Sequence, residues 1–454
     1  MRSMGRRGAA VGRVRAACAT AAVLLVVATA CSAAPPAPGS SVAGTGVARS
    51  DAGTGLSHSR VGGGPDGAVG PTSTTSCPEP PAGSEVDSVA PSELGMDADA
   101  VEAALEYAVA KGSQSIRVYR HGCLVGTGSN DAAVDWVPLP AWSMTKGVVS
   151  MLVGRAVELG RLGVDDPIGR YLDVADPRKA ALTVREFLNQ TTGLRLAWAS
   201  DLNEAATTDS AAALLQRQFE AVPGTTFNYA QTSVTLLVAV VEAAVGEDLQ
   251  DFAQRELFGP IGIERSEWQW ERDGAGRSQG FAFLQMTPPS FGRLGRLLLQ
   301  DGVWSGRRLL PSDYIAQGRA GTAANPCYGF LWRNNDGVGC GQTGPVLGLE
   351  TTTNWMPTVP TDAYALAGMF DQLVLVIPSL DMVVVRMGLP HQVLADPLGD
   401  VQGERPSMTW RFFRTLLAGV TDVAVPDPGD WVPRPPDQID WLHILEVPVP
   451  EPTW

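Results

Sequence analysis

Lysine and histidine are scarce in this chain of 454 residues. Only three lysines occur among its 34 basic residues, and it has only four histidines. No His-Glu-x-x-His or Cys-x-x-Cys pattern is present, and no histidine has a second ligand at metal-binding spacing, so the sequence predicts neither a zinc site nor a redox site. A catalytic device that needs no histidine suits such a chain, and a lysine beside a nucleophile is less easily a chance arrangement.

Other absences narrow the class of protein further. There is no Gly-x-Ser-x-Gly, which argues against an α/β-hydrolase, and beyond the first thirty residues no apolar run reaches eighteen residues. The formal net charge of −14 makes nucleic acid a poor partner. With 44% hydrophobic and 18% charged residues, the composition is typical of a soluble globular protein, and we expect no cofactor and no metal.

Residues 1–30 resemble an export signal. Five arginines and no acidic residue precede an apolar stretch of fifteen residues, which ends in Ala28-Thr29-Ala30 before Cys31. This ending resembles a bacterial lipobox, which implies cleavage before Cys31, lipidation of its sulfur, and a mature protein held outside the cytoplasm by a lipid anchor alone. An ordinary secretory peptide with a chance cysteine is the alternative.

Composition divides the rest of the chain into three parts. Residues 31–76 consist almost entirely of Ala, Pro, Gly, Ser, Thr and Val, which predicts a flexible, disordered tether. Residues 77–421 carry the periodic patterns of a folded domain. Residues 422–454 contain eight prolines and three tryptophans, which favour an extension packed by its tryptophans onto the domain, with a disordered tail as the alternative.

The folded part contains four cysteines, an even number in a chain predicted to be exported. The segment 334–337 (NNDG) is typical of a hairpin turn, which would bring Cys327 opposite Cys340. A second disulfide, between Cys77 and Cys123, would attach the end of the tether to the first strands. Four buried free thiols are the alternative.

Hydrophobic periodicity predicts helices that cover an antiparallel sheet. Strands are expected at 115–120, 123–127, 373–377 and 382–387. Helices are expected at 97–111, 143–160, 184–190, 232–245, 249–257, 290–300 and 408–418. A helix and strands therefore open the domain, a helical block fills its middle, and strands and a helix close it, an order that favours the α+β class.

Ser143 and Lys146 form the sharpest chemical pattern. They stand one turn apart at the start of a predicted helix, so their side chains share a face and can meet. Burial lowers the pKa of a lysine and allows the neutral amine to accept the seryl proton. The helix N-terminus favours negative charge at the seryl oxygen and at a substrate oxyanion. A helix cap followed by a solvated lysine is the alternative.

Around this pair the chain resembles the serine β-lactamase and penicillin-binding-protein-like hydrolases. The resembling branch includes class C β-lactamases, DD-peptidases, family VIII carboxylesterases and 6-aminohexanoate-dimer hydrolases. The motifs that carry the likeness are 142–148 (WSMTKGV), 182–194 (LTVREFLNQTTGL), 223–231 (PGTTFNYAQ) and 328–332 (YGFLW). The resemblance implies a β-lactamase/transpeptidase-like fold, with an antiparallel sheet flanked by helices and an all-helical subdomain.

The resemblance also implies a second proton-transfer group. Tyr229 matches the tyrosine of the family's Tyr-x-Asn region, whose phenol hydrogen-bonds the catalytic serine and lysine and relays a proton to the leaving group. Gln231 stands where the family has asparagine, so the amide is retained on a side chain one methylene longer.

A third motif completes the resemblance. Its usual forms are Lys-Thr-Gly or His/Trp-x-Gly on the strand beside the cleft, and the best match here is 366–368 (LAG). Gly368 would let the substrate approach the strand, and the N–H group of Met369 would join that of Ser143 in an oxyanion hole. Trp142 would lie beside the bound substrate.

Taken together, these features predict an extracytoplasmic serine hydrolase, either an esterase or an amidase, that forms an acyl-enzyme on Ser143 with a small-molecule substrate. A DD-peptidase or a β-lactamase is the alternative within the same family. A lipoprotein that binds wall peptide or a β-lactam without turning it over is an alternative from another class. The natural substrate and the oligomeric state do not follow from the sequence.

Overall fold

The computed structural model describes residues 75–198, 200–201, 209–340, 354–388 and 408–431, together with the backbone of two short segments at 346–347 and 438–439. The predicted signal peptide, Cys31 and nearly all of the predicted tether lie outside the described residues. So does most of the predicted C-terminal extension.

The described helices follow the chain in this order: α1 Ala98–Ala110, α2 Asp131–Val134, α3 Met144–Glu158, α4 Pro177–Ala180, α5 Val184–Leu188, α6 Ser210–Leu215, α7 Gln231–Val245, α8 Leu249–Ala253, α9 Pro288–Leu299, α10 Ser312–Arg319 and α11 Met408–Ala418. Helix α8 continues into a π-helical turn at Gln254–Phe258. The helices predicted from periodicity are therefore confirmed, with shifts of a few residues at some ends.

The described strands are β1 Ser113–Arg120, β2 Cys123–Thr127, β3 Leu139–Pro140, β4 Trp268–Trp270, β5 Leu284–Met286, β6 Val303–Trp304, β7 Arg307–Arg308, β8 Tyr328–Gly329, β9 Trp332–Asn334, β10 Val346–Leu347, β11 Tyr364–Gly368, β12 Gln372–Ile377, β13 Met382–Gly388 and β14 Gln438–Ile439. Within the described ranges, seven of them form an antiparallel sheet in the order β2-β1-β13-β12-β11-β9-β8.

Helices cover both faces of this sheet. Strands β12 and β13 are buried along their whole length, which explains why they read as continuous apolar runs rather than as alternating patterns. On one face, Gly126 of β2 lies against Leu105 of α1, and α11 packs on α1. On the other face, Tyr119 of β1 lies against Gly292 of α9. Helix α3 packs against β11 on the same side of the sheet as α9. The predicted α+β class is confirmed.

Both predicted disulfides are present. Cys77 is bonded to Cys123, and the Cys77 N–H also donates to the His121 carbonyl at 3.1 Å. Arg296 donates to the carbonyls of Cys77 and Pro78, so the start of the folded part is fixed to the β1–β2 turn. The second disulfide joins Cys327 to Cys340.

The predicted hairpin turn at 334–337 is wrong. The hairpin formed by β8 and β9 turns at Phe330 and Leu331, both of which adopt left-handed backbone conformations. Asn335 serves another purpose, because its buried side-chain amide donates to the carbonyls of Met356 and Val359. A turn motif read from the sequence was thus overridden by a tertiary contact that satisfies a buried amide.

Two further contacts involve the C-terminal end of the folded part. The Trp431 ring packs edge to face against Trp410 of α11, with 5.8 Å between the ring centroids. In the backbone that is described beyond it, β14 pairs with β10.

No helix among the described residues has the length and apolar character needed to cross a membrane.

Candidate active site

Ser143 immediately precedes α3, at the point where an extended segment turns into the helix. Its side chain makes no capping hydrogen bond to the helix, so the hydroxyl is not used to satisfy the first backbone amides. The preceding residue, Trp142, has a φ of 49°, a conformation that is uncommon for an aromatic residue. The Thr145 hydroxyl donates to the Trp142 carbonyl at 2.7 Å and fixes this turn. Ser143 is left partly exposed at the end of a buried helix.

Lys146 lies one turn into α3 and only 1% of its surface is exposed. Its Nζ donates to Ser143 Oγ at 3.1 Å, to Gln231 Oε1 at 2.6 Å and to the Phe281 carbonyl at 2.9 Å. Burial lowers the pKa of Lys146 to about 7, and the negative charge of Asp201 opposes that shift. The predicted contact between Ser143 and Lys146 is therefore present in the structure.

Tyr229 lies on the other side of Ser143. Its ring is buried, with Lys146 Nζ 4.6 Å from the ring centroid. Burial raises the pKa of Tyr229, while the Ser143 hydroxyl and the Arg333 guanidinium lower it. The ring of Tyr328 packs at 6.1 Å and fixes the orientation of the phenol.

Gln231 is the first residue of α7 and points at Lys146. The longer side chain, compared with the asparagine of the resembling family, brings its Oε1 to 2.6 Å from the lysine Nζ. The structure thus brings together Ser143, Lys146, Tyr229 and Gln231, which lie on two helices and the loop before the second.

Gly368 ends β11 directly beside the start of α3. A Cβ atom placed on Gly368 would lie 3.1 Å from the backbone nitrogen of Ser143 and 2.6 Å from the Ala141 carbonyl, so only glycine permits this approach. Met369 follows in an exposed turn. The rings of Trp142 and Phe370 pack edge to face at 5.1 Å and connect the turn before Ser143 to the turn after Gly368.

The other two residues of the predicted third motif differ in their surroundings. Leu366 is fully buried and packs over Gly147 of α3, so it does not line the cleft. Ala367 is partly exposed. Strand β9 pairs with β11 only at Tyr364 and Ala365, so β9 does not cover the part of β11 that leads to Gly368.

Two arginines near the cleft have different surroundings. Arg386 donates to the carbonyls of Phe370 and Asp371, at 2.7 and 3.0 Å, and to the Ser113 hydroxyl at 2.9 Å. It therefore holds the turn that carries Met369 and is not directed at a substrate. Arg333 of β9 places its guanidinium 5.1 Å from the centre of the Trp355 ring and acts electrostatically on Tyr229.

Asp201 and Phe281 belong to this site, although the sequence patterns did not identify them as site residues. The Phe281 carbonyl accepts a hydrogen bond from Lys146, and a backbone acceptor leaves no trace in residue type. The Asp201 carboxylate accepts hydrogen bonds from the backbone N–H groups of Gln231 and Thr232. It stands thirty residues before Gln231 and belongs to no recognisable motif, so no signal in the sequence singles it out.

Comparisons with known proteins identify a family for this chain. A sequence model of the family described as Beta-lactamase matches residues 137–388, which is more than half of the chain. An uncharacterized protein of Alkalihalophilus pseudofirmus is 20% identical over 268 residues, which span 54% of this chain and 71% of that protein.

Solved structures show the same fold at low sequence identity. The structure of SurE superposes with a TM-score of 0.51 at 20% identity and covers 72% of this chain and 78% of its own. A candidate 6-aminohexanoate-dimer hydrolase from Bacillus anthracis gives a TM-score of 0.50 at 17% identity, with 62% of this chain and 74% of that chain covered. The predicted fold, an antiparallel sheet flanked by helices with a helical block beside it, is confirmed.

Proposed function

Because the chain belongs to the beta-lactamase family, we propose that it is a serine hydrolase that cleaves a small ester or amide through an acyl-enzyme on Ser143. The observation that carries the proposal is the contact between Lys146 Nζ and Ser143 Oγ at 3.1 Å, made by an amine that is almost fully buried. Because burial lowers the pKa of Lys146 to about 7, about half of the amine is neutral at neutral pH and able to accept a proton.

The reaction then proceeds in two halves. Ser143 Oγ attacks the substrate carbonyl carbon while its proton passes to Lys146, and the N–H groups of Ser143 and Met369 hold the oxyanion. Tyr229 gives its phenol proton to the leaving oxygen or nitrogen and receives the seryl proton from Lys146, and the bond from the leaving atom to the carbonyl carbon breaks. Water then attacks the acyl carbon and one of its protons passes to Lys146. That proton returns to Ser143 Oγ as the bond between Oγ and the acyl carbon breaks, and the acid leaves.

A fluorophosphonate probe and a substrate panel test this proposal. The panel contains p-nitrophenyl esters, 6-aminohexanoate dimer, nitrocefin and a D-Ala-D-Ala peptide, because the family includes enzymes for each class. We expect labelling by the probe and turnover of at least one ester or amide. A folded protein that is neither labelled nor active on any of the four would contradict the proposal and favour a binding protein without turnover.

We expect neutral short-chain esters or amides to be better substrates than penicillins or D-Ala-D-Ala peptides. In the resembling family a lysine or histidine, followed by a hydroxyl, binds the substrate carboxylate with charge-assisted hydrogen bonds. Here those positions are Leu366, which is buried against α3, and Ala367, which carries no donor. Arg386 is held by backbone carbonyls.

The expected ratio of kcat/KM between the two classes is more than about tenfold, which corresponds to about 1.4 kcal/mol of transition-state binding. Ala367→Thr, which restores the hydroxyl at a partly exposed position, should narrow this ratio and serves as the matched variant. Efficient hydrolysis of nitrocefin with negligible esterase activity would show that the third motif lies elsewhere.

We propose that the mature protein is anchored outside the cytoplasm by a lipid on Cys31. The lipobox resemblance and the tether composition motivate this proposal, and the two disulfides are compatible with an oxidising compartment. The protein expressed from its full sequence in a bacterial host should partition into the detergent phase. Cys31→Ser should abolish that partitioning, whereas Cys18→Ser, which removes a cysteine upstream of the cleavage point, should not. Detergent partitioning of Cys31→Ser would exclude this anchor.

A further inference from the structure

The structure assigns to the buried ion pair of Asp201 and Arg217 a positioning role in this site: it holds Gln231 beneath Lys146 and places a negative charge behind that amine. The inference rests on the proposed function, because it concerns how the Lys146 amine is prepared for proton transfer. Asp201 is fully buried and the Arg217 side chain is nearly so, so we assign them an effect through Gln231 and Lys146 rather than a contact with substrate.

Asp201 holds the start of α7 through its carboxylate. Its side chain is fully buried. One carboxylate oxygen accepts the N–H of Gln231 at 2.6 Å, and the other accepts the N–H of Thr232 at 3.3 Å and the Thr232 hydroxyl at 2.6 Å. The residue at the N-cap, Ala230, has no side chain that could do this. A carboxylate from a distant segment therefore caps the helix, where negative charge is favourable.

Gln231 connects this cap to the reacting groups. The same Gln231 whose backbone is held by Asp201 accepts a hydrogen bond from Lys146 at 2.6 Å through its side chain. Its side-chain amide lies 3.5 Å from the Tyr229 carbonyl. A change in the Asp201 cap would therefore move the acceptor of Lys146 and the backbone that carries Tyr229.

Asp201 also contributes to the charge around Lys146. Asp201 lies outside α7 but caps its start, and its negative charge raises the pKa of the Lys146 amine against the effect of burial. Toward the cleft, Lys146 faces the phenol of Tyr229, on which Arg333 acts. On the remaining side it meets the carbonyl and the ring of Phe281, which carry no charge.

Arg217 balances this carboxylate. Its guanidinium lies 3.4 Å from Asp201 Oδ1 and also donates to the Arg195 carbonyl at 3.2 Å. Burial raises the pKa of Asp201, whereas Arg217 and the hydrogen bonds from Thr232 and Gln231 lower it. The cation thus opposes the effect of burial on Asp201 and partly offsets the negative charge that this carboxylate presents to Lys146.

Two substitutions should shift the pH profile in opposite directions. The acid limb of kcat/KM reports the pKa of Lys146 in the free enzyme, because only the neutral amine can act as the base. Asp201→Asn removes the negative charge and lowers that pKa, so the limb moves to lower pH. Arg217→Gln removes the balancing cation and raises the pKa, so the limb moves to higher pH. With the ester that wild type hydrolyses best, each shift should be about half a pH unit or more, as expected when one charge near a buried amine is removed.

Matched controls exist on another helix. Asp209 caps α6 by accepting the Ala212 N–H at 3.0 Å and pairs with Arg277 at 3.3 Å, so it has the same two kinds of contact without acting on Lys146. Asp209→Asn and Arg277→Gln should leave the acid limb where it is in wild type. A structural defect alone would lower kcat without opposite shifts of the limb.

The outcomes separate this inference from the proposed function. If wild type shows neither labelling nor turnover, the proposed function fails. If wild type is active but folded Asp201→Asn and Arg217→Gln show limbs that do not move, or that move the same way, the pair is only structural and the inference is overturned. Should Asp201→Asn fail to fold, as judged by circular dichroism, an unshifted limb in Arg217→Gln is sufficient to overturn it.

Discussion

Replacing Ser143 by alanine is expected to abolish both turnover and covalent labelling. The substitution removes the only atom that is proposed to bond to the acyl group, and loss of a nucleophile lowers kcat by about 10⁴-fold or more. Stability should change little, by about 1 kcal/mol at most, because the Ser143 hydroxyl makes no capping bond to α3. Fluorophosphonate labelling and the melting temperature measure the two effects separately.

Ser150→Ala is the matched control for this experiment. It removes a hydroxyl from the same helix, where the Ser150 side chain contacts the Tyr314 phenol at 2.9 Å in the core. This variant should be labelled like wild type, although its melting temperature should fall. Labelling that persists in Ser143→Ala would exclude Ser143 as the nucleophile.

Replacing Lys146 by arginine should be nearly as damaging. A guanidinium does not lose its proton at any usable pH and cannot accept one from Ser143. Loss of a general base typically lowers the rate by about 10²- to 10⁴-fold. Because the pKa of Lys146 is about 7, activity in wild type should rise with pH through that value and level off above it. That rise should be absent in Lys146→Arg.

Lys111→Arg is the control for the charge-conserving change, since Lys111 is exposed at the end of α1. It should behave like wild type in both rate and pH profile. If arginine does not fit at the buried position, Lys146→Met, which has an unbranched and uncharged side chain, makes the same test. Near-normal acylation by a folded Lys146 variant would refute the proposed role of the lysine.

Much of the fold follows from local patterns that packing reinforces. The strands β12 and β13 were predicted from runs of β-branched and apolar residues, and the structure buries both on each face. Helix α3 was predicted from apolar spacing, and the same spacing placed Ser143 and Lys146 on one face, as observed. Local sequence determined these elements because their periodicity and their burial agree.

The parts that could not be predicted depend on contacts between distant segments. The hairpin at 328–334 turns at Phe330 and Leu331, although the residues of a favourable turn motif lie just beyond it. The sequence placed Leu366 in a motif on the strand beside the cleft. In the structure it faces Gly147, because α3 packs against β11 at that point. Asp201 reaches Gln231 only through the tertiary fold.

Peptide mapping of the phosphonylated enzyme by mass spectrometry decides whether Ser143 is the nucleophile. Wild-type protein is mixed with a fluorophosphonate, digested, and the modified peptide is sequenced by fragmentation. We expect one added probe, attached to Ser143 in the peptide that also contains Lys146 or ends at it. A probe attached to another residue, or hydrolysis of an ester by a protein whose Ser143 stays unmodified, would contradict it.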